Sequence, residues 1–94
     1  MIKYNLFVGS NNQTKELESE KIIKIVAEYY KGFSCYEITG YWEGKAEKAL
    51  KIEIAVEDTD INKLAITALT NELKMELEQD SIMVEKVNSV IKFN

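Results

Sequence analysis

The chain of 94 residues contains no histidine, no proline, one cysteine and four glycines, and all twelve of its basic side chains are lysines, so arginine is missing as well. Each absence excludes something. Without histidine there is no imidazole to act as general base near neutral pH, and the Ser-His and Cys-His pairs of nucleophilic catalysis are unavailable. Without arginine there is no planar fork to clamp an anion through two parallel hydrogen bonds, which removes acyl and phosphoryl hydrolysis built on such a clamp. One cysteine and no histidine cannot supply the usual zinc ligands, and Asp58 with Asp60 lacks the further oxygens of a calcium loop. Neither a metal nor a cofactor is expected. Cys35 has no partner for an intramolecular disulfide and reads as a buried or interface residue. No signal-peptide h-region follows Met1, and lysines and glutamates interrupt every apolar run well short of the ~18 residues that span a bilayer. The expected setting is cytoplasmic, with no membrane partner.

What is present describes an ordered globule, with 46% apolar and 30% charged residues. Its length suits a single domain over residues 1–94. The net charge of −4 is placed unevenly: Met1 to Lys48 holds seven lysines and seven glutamates, whereas Ala49 to Asn94 holds five lysines and nine acids. An acidic chain without arginine has no footprint for non-specific nucleic-acid binding.

Period-two alternation in Ile2-Lys3-Tyr4-Asn5-Leu6-Phe7-Val8 marks a half-buried strand. The polar run Gly9 to Thr14 is a loop. Leu17, Ile22, Val26 and Tyr29 or Tyr30 then recur at helical spacing, with Thr14 or Ser19 as N-cap and Gly32 as stop. Phe33 to Trp42 and Ala49 to Val56 read as two strands of a hairpin, joined by a charged connection over Glu43 to Lys48. Asp58 or Thr59 caps a second helix whose expected core stripe is Ile61, Leu64, Ala65, Ala68 and Leu69. Ser81 to Val87 forms the last strand, and Ser89 to Phe93 extends it or makes a terminal arm.

The order βαββαβ, with right-handed crossovers, gives a ferredoxin-like α+β sandwich: a four-stranded antiparallel sheet with two helices on one face. The expected helix-facing layer is Ile2, Tyr4, Leu6, Val8, Ile38, Leu50, Ile52, Ile54, Ile82 and Val84. The open face then carries Asn5, Phe7, Cys35, Glu37, Thr39, Tyr41, Lys51, Glu53, Met83 and Glu85. Its apolar members need a cover, from long charged side chains or from a second subunit, and a homo-oligomer is the favoured expectation.

The candidate ligand-binding residues are Ser10, Asn11, Asn12 and Lys15, which offer hydroxyl, amide and ammonium groups to an anion near a helix N-terminus. Tyr36, Tyr41 and Trp42 are added as platforms for a planar ring. No catalytic residues are assigned.

Tyr4, Leu6, Phe7 and Gly9 in the first strand, Gly40, Tyr41 and Trp42 at the hairpin, and Gln79, Asp80, Ser81 and Ile82 before the last strand resemble the motifs of a family of small uncharacterised proteins from phages, plasmids and bacterial genomes. Asp80 stands where that family usually has glutamate. The resemblance implies a compact α+β fold and a mobile-element setting. The combined expectation is a non-catalytic, viral or mobile-element protein that oligomerises and sequesters a small anionic ligand such as a nucleotide immune signal. The alternative is an inhibitor or adaptor that meets a basic host protein through its acidic C-terminal half, including Glu72, Glu76, Glu78 and Asp80.

Overall fold

The computed structural model describes residues 1–88, so the expected extension over 89–93 lies outside the described residues. Strand β1 (Ile2–Gly9) is followed by helix α1 (Ser19–Tyr29), strands β2 (Ser34–Trp42) and β3 (Lys45–Val56), helix α2 (Asp60–Glu76) and strand β4 (Met83–Val87). The sheet order is β2-β3-β1-β4, with every pairing antiparallel. This is the ferredoxin-like arrangement that the order of elements predicts. Among the described residues no helix is long and apolar enough to cross a membrane.

The core lies between the sheet and the two helices. Ile2, Tyr4, Leu6 and Val8 of β1 and Leu50, Ile52 and Ile54 of β3 bury against Ile22, Ile25 and Val26 of α1 and Ile66, Leu69 and Leu73 of α2, with Leu77 just beyond. Fully burying one such aliphatic side chain contributes about 1.5–3 kcal/mol. α1 begins without a side-chain cap: Ser19 is already helical, and Thr14 instead accepts a hydrogen bond from the Glu16 amide. α2 begins at Thr59, whose hydroxyl accepts from the Asn62 amide at 3.2 Å, one of the two caps the sequence offered.

Three expectations about facing and length are corrected. The β2–β3 connection is two residues long, because Glu43 and Gly44 both take positive φ (51° and 77°), as a type I′ turn requires. β3 therefore starts at Lys45, and Lys45–Lys48 pair with β2 beyond the end of β1, making a two-stranded arm. The turn also sets the phase of β2. Cys35 lies opposite Ile52 and packs against the core, Glu37 and Tyr41 share that inner phase, and Ile38, opposite Ala49, falls on the open face. The sequence misleads here because β2 is an edge strand, exposed over most of its length, whose apolar residues do not report the core side.

The third correction concerns α2. Ile61 and Leu64 are 79% and 70% exposed, while Ile66, Leu69 and Leu73 form the buried stripe. The helix is apolar on two opposite sides, and periodicity alone cannot say which side meets the sheet.

The open face carries its own cover. Lys51 Nζ sits 5.6 Å from the Phe7 ring centroid and 5.4 Å from that of Tyr36. Glu53 pairs with Lys51 and Lys3, and the Tyr36 hydroxyl donates to it at 3.2 Å. Asn5, in the middle of this face, is buried and donates to Glu85 at 2.8 Å. Long charged side chains thus lie over Phe7, while Met83, opposite it on β4, stays 62% exposed.

Two contacts tie the helices to each other: the Tyr29 hydroxyl donates to Glu72 at 3.0 Å, and Lys21 donates to the Glu76 carbonyl at 2.9 Å. The hydrogen bond to Glu72 raises the Tyr29 pKa above its ordinary 10.0, followed by burial and the negative charge of Glu72 and Glu28. A raised phenol pKa stabilises the fold below the unfolded value and loses that contribution as pH climbs through the folded value. Melting temperature should therefore fall as pH rises above about 10, and Tyr29→Phe should remove this component of the fall. In urea denaturation, Leu69→Ala and Leu73→Ala should each cost about 2–5 kcal/mol. Leu64→Ala should stay within roughly 0.5 kcal/mol. Equal losses at Leu64 and Leu69 would contradict the observed orientation of α2.

Candidate functional site

β1 ends at Gly9, opposite Ala49, while its neighbour β3 continues past it into the arm. The chain beyond folds around Asn11, which is 6% exposed. Its Oδ1 accepts from the amides of Gln13 and Thr14 at 2.7 and 3.1 Å, and its Nδ2 donates to Glu18 at 3.2 Å. Its backbone amide donates to the Glu16 carbonyl and its carbonyl accepts from Lys15, at 2.9 and 2.8 Å. Lys15 holds a left-handed φ of 64° within this turn. An asparagine side chain that replaces backbone partners in this way organises a loop.

Two further ties place the loop. The Ser10 hydroxyl donates to the Lys48 carbonyl at 3.0 Å, joining it to the root of the arm. At the other side α2 ends at Leu77, Glu78 turns through a left-handed φ of 52°, and the Gln79 amide closes back on the Lys74 carbonyl. That turn aims the Gln79 side chain across the domain. Its Nε2 donates to the carbonyls of both Gly9 and Ser10, satisfying backbone acceptors that the sheet leaves unpaired.

Between the β1 loop, the root of the arm and the α2–β4 connection lies an open cleft of about 1130 Å³. Glu16, Glu37, Glu47 and Asp80 bring negative charge to its wall, and Lys15, Lys45 and Lys48 bring positive charge. Such a mixed lining suits a ligand that carries both signs better than a polyanion. Among the described residues no three histidine, cysteine, aspartate or glutamate side chains converge to hold a metal ion.

Ser10, Asn11, Asn12 and Lys15 all border this cleft. Asn12 and Lys15 are exposed, whereas Ser10 spends its hydroxyl on the Lys48 carbonyl and Asn11 its amide on the loop itself. The three aromatics are elsewhere. Tyr36 lies on the open face, 45% exposed, and Tyr41 and Trp42 stand 75% and 70% exposed on the arm. Sequence reading missed Glu37, Lys45, Glu47, Lys48 and Gln79 as wall residues. Only the strand pairing shows that the root of the arm flanks the β1 loop, and the sole local signal was Gln79 at the expected end of α2. Of the acids expected to meet a basic partner, Glu72 is engaged by Tyr29 and Asp80 belongs to the cleft.

No family model and no curated protein matches this chain. Solved structures do. A phage SAM lyase in its apo state superposes with a TM-score of 0.73 at 23% identity, over 90% of this chain and 78% of the other. A phage SAM lyase in complex with S-methyl-5′-thioadenosine gives 0.63 at 20% identity, over 90% and 78%. A DUF3240 family protein from Shewanella baltica OS155 gives 0.65 at 15% identity, over 99% and 94%. At the level of fold, these neighbours agree with the resemblance to small phage and bacterial proteins.

The lyase overturns the expectation that the chain is not an enzyme. The absence of histidine and arginine excludes only reactions that need such a proton carrier or anion clamp. A sulfonium centre such as that of S-adenosylmethionine needs neither at its leaving group, because sulfur departs as a neutral thioether without taking up a proton.

Removing the ties around the cleft should loosen it measurably. Gln79→Ala and Asn11→Ala should each destabilise the fold by about 1–3 kcal/mol. Hydrogen exchange should accelerate over the loop between Gly9 and Glu18 in both variants, and unchanged exchange there would refute the bracing role.

Proposed function

We propose that the cleft binds S-adenosylmethionine and that the protein cleaves it as a lyase. The observation that carries this reading is the mixed-charge wall at the end of β1, on a fold also found in a phage SAM lyase. S-adenosylmethionine bears a sulfonium, an ammonium and a carboxylate. Carboxylates among Glu16, Glu37, Glu47 and Asp80 suit its two cations, and the lysines of the cleft suit its carboxylate. Breaking the bond between Cγ and sulfur sends the electron pair to sulfur and releases S-methyl-5′-thioadenosine. That bond breaks as an oxygen of the substrate's own carboxylate attacks Cγ and closes a lactone, or as a carboxylate of the wall takes a proton from Cβ and the C–H electron pair forms an alkene. In either case the protein works mainly by holding the substrate in a reactive conformation beside negative charge.

The cleft is open and lacks an aromatic wall of its own, while Tyr41 and Trp42 stand exposed on the arm. We place the site in a homo-oligomer, where the arm of a neighbouring copy brings an aromatic platform for the adenine ring. An anionic nucleotide signal, the ligand expected from sequence, is less well suited because four acids and three lysines line the cleft, a poor lining for a polyphosphate.

Incubating the purified protein with S-adenosylmethionine and separating products chromatographically should show S-methyl-5′-thioadenosine accumulating with time. Glu37→Gln and Glu47→Gln, on exposed strand positions, should slow this without lowering the melting temperature. Ligand at 100 times its dissociation constant should add ~2.7 kcal/mol, and each kcal/mol moves the midpoint of a domain this small by about 4–8 °C. A protein that leaves S-adenosylmethionine intact and is stabilised instead by cyclic or linear nucleotides would overturn the proposal.

A further inference from the structure

The outward face of α2 carries a second apolar stripe that no other described residue covers. Ile61, Leu64 and Met75 are 79%, 70% and 73% exposed, and Ala68 and Asn71 between them are also exposed. Their spacing alternates three and four residues, so they run as one seam along the helix, opposite the buried Ile66, Leu69 and Leu73. Seams of this period are how one helix packs on another. Isolated exposed leucines need no explanation, but a continuous seam over a helix of 17 residues does.

The charges beside the seam indicate what covers it. Asp60, in the first turn of α2, and Lys74, in the last, each directly precede a seam residue, Ile61 and Met75, and so lie on the same flank. When two copies of α2 pack antiparallel across a twofold axis between Thr67 and Ala68, Asp60 of each copy comes within one residue of the level of Lys74 of the other, and the two pairs form by symmetry. The small Ala68 at the crossing lets the helix axes approach closely, and Leu64 lies next to Asn71 across the seam. Opposed helix dipoles favour the same orientation. In a parallel pairing the flanking positions would set Asp60 against Ala65 and Thr67 against Glu72, which matches no opposite charges. Glu72 is moreover already bound to Tyr29.

We infer that α2 is a homotypic docking surface, on which a second copy of this chain packs antiparallel and twofold symmetric through Ile61, Leu64, Ala68 and Met75. The surface is separate from the cleft and from the arm, so it joins assemblies rather than completing the site.

Sedimentation velocity over a concentration series tests this without any ligand. The wild-type protein should gain mass with concentration, and Leu64→Lys should halve the largest assembly while circular dichroism stays unchanged and the melting temperature matches that of wild type at concentrations too low for association. Lys74→Glu and Asp60→Lys should each weaken association roughly tenfold, since two symmetric pairs turn from attraction to repulsion. The double variant, which restores opposite charges in exchanged positions, should recover most of the wild-type affinity. A largest assembly that Leu64→Lys leaves intact, or a double variant no better than the singles, overturns the inference. Because lyase activity is read separately, failure here and failure of the proposed chemistry are distinguishable.

Discussion

Strand β1 has to satisfy two neighbours and a core at once, and the rest of the domain is arranged around that demand. It pairs with β3 from Ile2 to Gly9 and with β4 from Lys3 to Phe7, so its backbone groups are spent on both sides. Its alternate residues Ile2, Tyr4, Leu6 and Val8 fill the centre of the core. A strand in this position admits no slip, because a shift of one residue would carry Lys3, Asn5 and Phe7 into the apolar layer. Where β1 ends, pairing on one side ends with it, and the carbonyls of Gly9 and Ser10 have to find partners elsewhere. Gln79 supplies them from the far end of α2.

The cleft follows from the same geometry. β3 outlasts β1, and the loop after Gly9 folds back on itself through Asn11, so a concavity opens between the arm and the α2–β4 connection. Side chains of both signs reach its wall from parts of the chain far apart in sequence. Chemistry that needs only orientation and negative charge beside a sulfonium can be run from such a wall. The lack of histidine and arginine therefore narrows the reactions available to this fold without closing it to catalysis.

The surfaces that lie away from the cleft divide by how they handle apolar area. The open sheet face covers Phe7 with Lys51 and pairs Glu53 with both Lys51 and Lys3, so long charged side chains keep it compatible with water. α2 does the opposite, presenting Ile61, Leu64 and Met75 exposed, with no cover among the described residues. The arm presents Tyr41 and Trp42 on a two-stranded ribbon, a structure marginal in water when it stands alone. Both features point toward association, through different faces.

The local pattern was sufficient for the order of the elements, the ferredoxin-like fold and the buried faces of β1 and β3, because period-two alternation in a half-buried central strand directly records which side meets the core. It also located the Gly9 to Thr14 loop and narrowed the α2 cap to Asp58 or Thr59, where a few adjacent residues settle their own conformation. It failed at β2 and α2 for one reason: an edge strand and a two-faced helix carry apolar residues that answer to more than one environment, and the pattern does not name the environment. The phase of β2 came from the turn at Glu43 and Gly44, and the buried side of α2 from how its two stripes fit against β1 and β3. The cleft was legible only in its first segment, Ser10 to Lys15, since Glu37, Glu47, Lys48 and Gln79 become its neighbours through strand pairing and helix termination. Local periodicity describes one segment in its surroundings, whereas a site made by three segments exists only once packing has brought them together.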